Sequence, residues 1–530
     1  ADLARLFAEE IGKAGLQATE IATYATPRRL ALIARGLPLA TSAVSEELKG
    51  PKTSAPPQAL EGFLRKTGLT QDQLEDRDGT WFAVIAKPGR QTAEVLAEAV
   101  PAIVRAFPWP KSMRWGAASA STESLRWVRP LQGIVALLGD TVVPFEIDGV
   151  VSGSATVGHR FHHSGDVTIG NAADYAAKLN ACHVIVDQEE RRAIIRSGAE
   201  KAAAAAGLML VPDEGLVIEN SGLTEWPVPM LGRFDPAFLA VPEEVIQLTA
   251  RVNQKYFICR DTAGKLANAF VCTANITAND GGAAIVAGNE KVLAARLSDA
   301  KFFWEQDLKV PLETQAEKLK DIVFHEKLGT VADKVERVAK LARWLVEEGI
   351  VKGASANDAE RAARLCKADL VTGMVGEFPE LQGIMGGYYA RAQGETDAVA
   401  DAVAKHYGID CYRPIEIALS LADKFDTISS FFSIGEKPTG SKDPFAIRRA
   451  GLGVIFLVLS RDLRLDLDRI ASSEVVEFLI ERWKYQNRSA GSRTDFIDAV
   501  VSLRENCDLC RLGVLMRALE AFVTTDEGTN

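Results

Sequence analysis

The second half of the chain, from Leu312 onward, has the hydrophobic spacing of amphipathic helices. Its clearest run repeats apolar side chains at steps of three and four residues, namely Val331, Val335, Val338, Ala342 and Leu345. Residues three and four apart share one face of a helix, so this run predicts a helix with one buried stripe. The same periodicity predicts helices at Asp358–Val375, Thr396–Tyr407, Pro414–Phe432, Pro444–Ser460, Asp495–Val501 and Cys507–Val523.

The first half of the chain mixes two periodicities. Residues Thr23–Leu37 alternate between polar and apolar or β-branched side chains, which predicts a strand. Further strands are predicted at Thr80–Lys87 and His183–Val186, and longer helices at Gln188–Ala206 and Gly288–Asp307. This half is therefore predicted to be α+β.

Together these patterns predict a multidomain protein, in which an α+β N-terminal half is followed by an all-helical domain and further helices. A length of 530 residues fits about three or four domains. The predicted α+β regions are residues 1–150 and 151–310. The helical domain is predicted at 311–470, and a helical linker with the start of another module at 471–530.

The composition is that of an ordinary globular protein, with 47% hydrophobic and 25% charged residues. No run approaches the roughly 20 apolar residues that cross a bilayer, so no membrane partner is predicted. The chain begins within an amphipathic helical pattern and not with a signal or transit peptide. Its seven cysteines are scattered and odd in number, which favours free thiols and a cytoplasmic location.

A glycine- and lysine-rich loop between two predicted helices is the most distinctive local feature. Four cations, Lys437, Lys442, Arg448 and Arg449, stand against one acid, Asp443, in a chain whose net charge is −10. Local cations on an acidic protein indicate an anion site, because the overall field would otherwise repel a phosphate backbone. The alternative is a solvated loop between two core helices.

The same loop has the glycine spacing of a phosphate-binding P-loop without its chemistry. Gly435 and Gly440 are followed by Ser441 and then Lys442, whereas a P-loop places its lysine before the hydroxyl. The loop also follows a predicted helix, and a P-loop follows a strand. We therefore reject nucleotide hydrolysis at this loop.

A second basic stretch, Arg105–Gln132, interleaves cations with aromatic rings. Its cations are Arg105, Lys111, Arg114, Arg126 and Arg129, and its tryptophans are Trp109, Trp115 and Trp127. Rings can stack on bases while cations pair with phosphates, so the pattern indicates a nucleic-acid surface. The alternative is that Trp115 and Trp127 belong to the core of a sheet while the arginines face outward.

Three of the six histidines lie in the short stretch Gly158–His163. No carboxylate or cysteine stands there at a metal-ligand spacing, so the stretch gives little support to a zinc site. His159 and Arg160 on this turn are predicted either to bind phosphate or only to pack.

Two helical segments resemble the pattern of HD-type metal phosphohydrolases, whose ligands are a His, a His-Asp pair and a distant Asp. Asp369 matches the acid of the pair and Asp423 the distant acid, but Ala368 stands in the place of the paired His. The two aspartates cannot easily replace a lost imidazole ligand, although His325 and His406 are candidates to contribute. The prediction is an HD-like fold with no metal and no catalytic residue.

No Gly-x-Ser-x-Gly elbow and no Rossmann glycine fingerprint are present, so the residues favour a basic-patched binding protein over an enzyme. Several ordered segments nevertheless resemble one family, the beta subunit of the bacterial heterotetrameric glycyl-tRNA synthetase. They are Ala25–Leu32, Lys111–Gly116, Arg126–Pro130, Gly158–Phe161, Glu225–Pro227, Phe238–Pro242, Asn253–Phe257, Gly288–Phe303, Leu328–Lys334, Asp369–Gly387 and Ala422–Val454.

The resemblance implies a division of labour between two subunits. In this family the alpha subunit carries the class II catalytic core that binds ATP, with Mg, and glycine, whereas the beta subunit binds tRNA and is required for charging. It also implies an α2β2 heterotetramer, a region similar to a phenylalanyl-tRNA synthetase beta-subunit domain, and an HD-like domain. The first family strand and most of the C-terminal anticodon-binding module are expected to be missing from this chain.

The leading hypothesis is thus a noncatalytic, tRNA-binding subunit of a cytoplasmic glycine–tRNA ligase, with no cofactor of its own. Lys437, Lys442, Arg448 and Arg449 are the predicted phosphate contacts, with Arg114, Arg126 and Arg129 as a second patch. Arg448 and Arg449 could instead pair with Asp423 and Asp426 in the helical core. The competing hypotheses are an HD-type metal-dependent phosphohydrolase and an assembly scaffold that does not touch tRNA.

Overall fold

The computed structural model describes residues 1–87, 89–440, 442–502 and 506–525. The chain divides into two units by its internal contacts. The first unit is made of Ala1–Arg233 and Ala250–Lys291, and the second of Phe234–Thr249 and Val292–Asn530. Each unit therefore takes its residues from two separate stretches of the chain.

The first unit combines helices with short strands. Its helices are α1 (Asp2–Lys13), α2 (Pro57–Thr67), α3 (Thr92–Ala106), α4 (Tyr175–Ala181), α5 (Gln188–Ala205) and α6 (Glu214–Leu223). Its strands are β1 (Glu20–Ala25), β2 (Leu30–Arg35), β3 (Val44–Lys52), β4 (Leu74–Arg77), β5 (Thr80–Lys87), β6 (Ile134–Val135), β7 (Leu137–Leu138), β8 (Thr141–Val142), β9 (Glu146–Ile147), β10 (Val150–Gly153), β11 (Ala155–Val157), β12 (Asp166–Thr168), β13 (Met209–Leu210), β14 (Val228–Arg233), β15 (Phe257–Arg260) and β16 (Leu266–Ala274).

The largest sheet of the first unit is antiparallel, with the order β13-β15-β16-β14. Helices α5 and α6 cover it, and Ile195 and Leu216 pack there against Phe257 and Val271. The smaller sheets are β3-β5-β4, the mixed sheet β6-β10-β9 and the hairpins β1-β2, β7-β8 and β11-β12. A separate cluster around Phe7 and Ile103 holds α1 against α3.

The single strand predicted at Thr23–Leu37 is wrong, because β1 and β2 form a hairpin there. The chain reverses at Thr26–Arg29, where the amide of Thr26 donates to the carbonyl of Arg29 at 2.9 Å. Pro27 has no amide hydrogen and a fixed φ, which suits this turn and not the interior of a strand.

The strand predicted at His183–Val186 is also wrong, although the segment is almost wholly buried. Its backbone oxygens find a side chain in place of a neighbouring strand, because Arg191 donates to the carbonyls of Ile185 and Val186. The same guanidinium also donates to the backbone carbonyls of Ser221 and Ala25. One buried arginine thus satisfies backbone groups that a sheet would otherwise pair.

The second unit is helical in the part of the chain that the structure describes, apart from one small hairpin. Helix α7 (Glu243–Leu248) precedes the stretch that returns to the first unit, and α8 (Ala283–Asp307) crosses the boundary between them. The hairpin is β17 (Val323–His325) with β18 (Gly329–Thr330). The other helices are α9 (Leu312–Glu317), α10 (Val331–Glu347), α11 (Ala356–Leu365), α12 (Gly373–Glu377), α13 (Ile384–Ala392), α14 (Asp397–Lys405), α15 (Pro414–Ser433), α16 (Ile447–Ser460), α17 (Ser473–Ser489), α18 (Thr494–Ser502) and α19 (Leu509–Val523).

Helix α15 is the centre of the second unit. It packs against α10, α14 and α16, and most of its residues are buried, including Asp423, Lys424 and Asp426. The apolar stripe predicted on α10 is confirmed, since all five of its residues are buried. Charged groups on a helix this buried need partners within the protein.

The long helix predicted at Asp358–Val375 is wrong, because α11 ends at Leu365 and α12 begins only at Gly373. A 3-10 turn joins them, and the carboxylate of Asp307 accepts hydrogen bonds from the amides of Gly373 and Met374, both at 2.9 Å. A distant side chain therefore caps α12 and supports a break that periodicity alone does not reveal.

No helix in the described ranges has the length and apolar character needed to cross a bilayer. All seven cysteines are free, which confirms that part of the prediction. The predicted multidomain architecture, mixed α/β with many helices, is confirmed as well. The HD-like assignment, the likeness of residues 151–310 to a phenylalanyl-tRNA synthetase beta-subunit domain, and the four domain boundaries stay predictions.

Candidate nucleic-acid interfaces and a buried charged cluster

The first candidate interface is the basic segment, which we define as residues 435–449, joining the end of α15 to the first turn of α16. Thr439 and Lys442 exchange two backbone hydrogen bonds, of 3.1 and 2.7 Å, across its tip. The amide of Glu436 donates to the carbonyl of Phe431 at 3.0 Å. These bonds fix the backbone of Glu436, Thr439 and Lys442, while Ser441 lies outside the described residues.

Asp443 fixes the start of α16, which was predicted at Pro444 and begins at Ile447. Its carboxylate oxygens accept hydrogen bonds from the amides of Ile447 (2.9 Å) and Arg448 (3.0 Å). Ala446, just before the helix, has a left-handed backbone with φ of 53°. A non-glycine residue in that conformation cannot continue a right-handed helix, so the helix starts after it.

The four cations of the basic segment have different surroundings. Lys437 forms an exposed ion pair of 2.8 Å with Glu474. Lys442 and Arg449 are exposed and Arg448 is half-buried, and none of the three forms an ion pair within the described residues. Asp443, the acid that lies between Lys437 and Arg448, is engaged by backbone amides. Lys442 and Arg449 therefore keep the most available positive charge.

The second candidate interface is the arginine patch, Arg114, Arg126 and Arg129. A backbone bridge between Met113 and Trp127 brings the first two side by side. All three guanidiniums donate to uncharged oxygens: Arg114 to the Thr122 carbonyl, Arg126 to the Ser112 hydroxyl and Arg129 to the Val128 carbonyl. The patch therefore keeps its full positive charge.

The tryptophans beside this patch do not all remain available for stacking. The rings of Trp109 and Trp127 lie 4.9 Å apart and each contacts Phe107. They form a small packed group of half-buried rings, and Trp127 lies outside the strands of the described sheets, so the alternative of a sheet core is not confirmed for it. Trp115 is half-buried and makes no ring contact within the described part of the chain.

The residues that match the HD-type pattern lie in what we call the buried charged cluster: Lys334, Lys367, His406, Asp423 and Asp426. Both lysine Nζ atoms are 3.2 Å from Oδ1 of Asp423, although neither makes a well-directed hydrogen bond to it. Burial acts to raise the pKa of Asp423, but the two ammoniums outweigh it and hold that pKa well below its usual value.

The hydrogen-bond partners of His406 in this cluster require a neutral imidazole. Its Nε2 lies 2.8 Å from the ammonium of Lys367, which can only donate, so Nε2 is the acceptor. Its Nδ1 is then the protonated nitrogen and donates to the carbonyl of Val403 at 2.7 Å. Burial and the nearby ammonium lower the pKa of His406 to about 3.

Asp369 and Ala368 lie beside the cluster and have structural contacts of their own. Oδ2 of Asp369 accepts from the backbone amides of Gly383 and Gly386, so this carboxyl shapes the start of α13. Burial raises its pKa to about 6. Ala368 is completely buried and offers no ligand atom.

A metal ion does not fit these surroundings. Two ammoniums already neutralise Asp423, and His406 offers a lone pair that is engaged by Lys367. His325, the other candidate ligand, accepts from the Lys327 amide through Nδ1. Within the described residues no group of three or more His, Cys, Asp or Glu side chains could hold a metal ion. These contacts disfavour the metal-dependent phosphohydrolase hypothesis.

The predicted alternative that Arg448 and Arg449 pair with Asp423 and Asp426 is wrong. Asp426 pairs with Lys334 at 3.0 Å and with Arg337. Sequence reasoning missed Lys334 and Lys367 as partners. Lys334 could have been noticed, because it stands three residues after Val331 on the buried stripe of α10.

A further set of polar contacts lies in the first unit, around the turn formed by residues 158–163, which we call the histidine turn. Arg29 forms a buried ion pair with Glu225 and also donates to the carbonyls of Val157 and Gly158. Thr26 donates to the same glutamate at 2.6 Å. The β1-β2 hairpin and the histidine turn are thus tied together through Arg29, whose position Glu225 fixes.

The whole chain can be compared with known proteins. The model of the family described as glycyl-tRNA synthetase beta subunit matches residues 1–502. The glycine–tRNA ligase beta subunit of Phenylobacterium zucineum is 51% identical over 537 residues, covering 100% of this chain and 79% of that relative. The corresponding proteins of Paracoccus denitrificans and Rhodospirillum centenum are 47% and 45% identical over 554 and 585 residues, each covering 100% of this chain and 80% of the relative.

Proposed function

The chain belongs to the glycyl-tRNA synthetase beta subunit family, as its sequence predicted, and on this premise we propose that it binds tRNA(Gly) while a separate alpha subunit attaches the glycine. The chain is then a noncatalytic subunit of an aminoacyl-tRNA ligase. The observation that carries the proposal is the pair Lys442 and Arg449, two exposed cations with no carboxylate partner among the described residues, in a chain of net charge −10.

The basic segment suits a phosphate backbone for two reasons. Backbone hydrogen bonds hold Lys442 against Thr439, and Asp443 holds the start of α16, so the cations are positioned before binding and less conformational entropy is lost. Among the described residues, Lys437 is the cation of the segment that pairs with an acid, Glu474. The arginine patch offers a second set of phosphate contacts on the first unit.

The partner side of the proposal follows from the family. ATP and Mg bind to the alpha subunit, two copies of each subunit form the working enzyme, and the enzyme acts in the cytoplasm. The chain needs no cofactor of its own in this arrangement. The buried charged cluster agrees with that, because its carboxylates and imidazole are engaged by ammoniums.

The test is charge reversal at the two most available cations. The variant Lys442→Glu/Arg449→Glu should bind tRNA(Gly) at least tenfold more weakly at moderate salt. Affinity falls as salt rises, and each lost phosphate contact makes the plot of log affinity against log salt less steep by about 0.9. The two substitutions should therefore reduce its steepness by about 2. Titrations of labelled tRNA(Gly) at several salt concentrations measure both quantities.

Lys352→Glu is the matched control, since Lys352 is also exposed on the second unit and unpaired within the described residues. Its neighbour Gly353 lies beside Pro414, at the end of α15 opposite the basic segment, about 30 Å away for a helix of this length. This variant should bind normally. Equal affinity of both variants and the parent chain would reject the proposal for this segment, and no tRNA binding by the parent chain would favour the scaffold hypothesis.

A further inference from the structure

Phe161 stands out because its side chain is 68% exposed at the tip of the histidine turn. The guanidinium carbon of Arg160 lies 5.4 Å from the centre of its ring. A single exposed apolar side chain is common on protein surfaces, so a binding role for Phe161 depends on how the turn holds the ring and on which charges lie beside it.

The turn beneath Phe161 is firmly anchored. His159 is completely buried, its amide donates to the carbonyl of Cys182 at 2.9 Å, and its Nδ1 accepts from the amide of Phe161 at 3.2 Å. Gly158 packs so closely that a Cβ there would lie 2.6 Å from the ring of His163. Phe161 is therefore presented to solvent by a constrained backbone.

The ring of Phe161 is the outer end of a row of neighbouring rings. The successive centroid separations are 6.1 Å to His159, 4.8 Å on to His162, 4.7 Å to His183 and 4.8 Å to Trp226. His162 accepts a hydrogen bond from the amide of Thr277, which fixes its ring. The Phe161 ring therefore packs on its protein side against the next ring of the row, that of the buried His159.

Two exposed arginines accompany the buried Arg29–Glu225 ion pair at the turn. Arg160 is exposed, as is Arg28 beside the Arg29 that holds the turn, and neither forms an ion pair within the described residues. Three other exposed arginines of the first unit, Arg77, Arg90 and Arg196, each pair with a glutamate, whereas those of the arginine patch do not within the described residues.

We propose that the histidine turn is a second RNA-binding site, at which an unpaired base stacks on Phe161 and Arg160 binds an adjacent phosphate. Stacking on an exposed ring beside cations is how proteins bind single-stranded RNA, because every base has a π-face. The inference rests on the proposed tRNA-binding function and adds the part of the RNA that this turn contacts, a single-stranded segment.

The experiment compares a labelled single-stranded oligoribonucleotide with a blunt-ended RNA duplex of two strands, each titrated with the full chain. Phe161→Ala should weaken binding of the single strand about tenfold, leave binding of the duplex unaffected and leave the salt slope unchanged. Phe161→Trp should retain binding. Arg160→Ala should lower the salt slope for the single strand by about 0.7, because it removes one phosphate contact.

Tyr412→Ala is the matched control. Tyr412 is also 68% exposed and lies under an arginine, with the guanidinium carbon of Arg461 4.4 Å from its ring centre, but it belongs to the second unit. The Tyr412→Ala variant should bind the single strand with the same affinity as the parent chain. Circular dichroism of all variants establishes that each is folded.

Two results would overturn the inference while leaving the proposed function intact. In the first, the parent chain binds tRNA(Gly) and Phe161→Ala binds the single strand equally well. In the second, Phe161→Ala loses association with the alpha subunit in gel filtration but keeps its RNA affinity, which would make the turn a protein-docking site. If the parent chain binds neither tRNA(Gly) nor either RNA probe, the proposed function fails as well.

Discussion

Lys367 shows at the residue scale how a buried charge is kept in a helical core. Its ammonium contacts the Asp423 carboxylate and the His406 imidazole, and it lies 3.6 Å from the centre of the Tyr407 ring. An ammonium without such partners costs several kcal/mol to bury. The three contacts offset that cost and leave Asp423 charged.

Replacing Lys367 by methionine should therefore destabilise the second unit by about 3 kcal/mol. The loss comes less from the missing contact than from Asp423, for which Lys334 is then the one ion-pair partner among the described residues. Urea unfolding followed by circular dichroism measures the change in midpoint. The exposed control Lys352→Met should shift the free energy of unfolding by less than about 0.5 kcal/mol, and a similarly small effect at Lys367 would contradict this account.

The pH dependence of stability follows from the same cluster. His406 has a pKa near 6.5 when unfolded and about 3 when folded, so below pH 6.5 only the unfolded chain binds the proton. Stability is therefore lost as the pH falls from about 6.5 towards 3, and the lowered pKa of Asp423 adds to the loss below 3.8. Asp369, whose pKa is raised to about 6, opposes it between pH 6 and 3.8.

His406→Gln removes the titrating imidazole and should flatten this dependence. Between pH 6.5 and 5 the parent chain should lose up to about 1.4 kcal/mol per pH unit more than the variant. Unfolding midpoints measured at intervals of pH test this difference. Parallel curves for the two proteins would show that His406 does not govern the acid sensitivity.

At the scale of elements, Asp443 has two opposite effects on RNA binding: it caps α16 and so positions the arginines, and its negative charge repels phosphate. Asp443→Ala removes the acceptor for the amides of Ile447 and Arg448, which should cost about 1 kcal/mol and speed hydrogen exchange at both amides. Charge alone predicts tighter RNA binding, because an acid beside the phosphate contacts is gone. We expect several-fold weaker binding of tRNA(Gly), since Arg448 and Arg449 lose their fixed helix start.

Asp443→Asn is the companion variant, because it removes the same charge and keeps one acceptor oxygen. It should bind tRNA(Gly) better than Asp443→Ala, and its amide exchange should lie between that of Asp443→Ala and the parent chain. Tighter binding by both variants would mean that the charge of Asp443, and not its capping, controls the basic segment.

Periodicity predicted the helices that depend on local residue spacing, and it failed where a side chain from elsewhere in the chain determines the structure. The stripe of α10 and the extent of α15 followed from residue spacing. The segment His183–Val186 did not, because its hydrogen-bond partner is the side chain of Arg191. The break after Leu365 depends on Asp307, more than 50 residues earlier in the chain.

The same distinction applies to the candidate sites. The cations of the basic segment are contiguous in sequence, so their charge excess was visible without a structure. The partners in the buried charged cluster are far apart, with Lys334 bonded to Asp426 across 92 positions. Nothing in the local sequence around Lys334 or Lys367 specifies that pairing, although an ionisable residue on a buried stripe was a visible signal.

For the whole molecule, the proposed function implies that charging needs two kinds of subunit. Aminoacylation of tRNA(Gly) with glycine should be undetectable with this chain alone, and mixing it with the alpha subunit should raise the rate well above that of the alpha subunit alone. Adding the Lys442→Glu/Arg449→Glu variant in place of the parent chain should raise the Michaelis constant for tRNA and spare that for ATP. A rise in the constant for ATP would indicate that the basic segment acts on the catalytic subunit.

The division of each unit between two stretches of chain also sets an order for folding during synthesis. Val245 and Ile246 of α7 are completely buried in the finished protein, and Glu244 hydrogen-bonds to Tyr388, which is made 144 residues later. At about 5 to 20 residues per second, the ribosome reaches Tyr388 roughly 7 to 30 seconds after α7. During that interval the apolar side chains of α7 are exposed, because the residues that bury them have not been synthesised. We therefore expect the nascent chain to be most dependent on chaperones between the synthesis of α7 and that of α13.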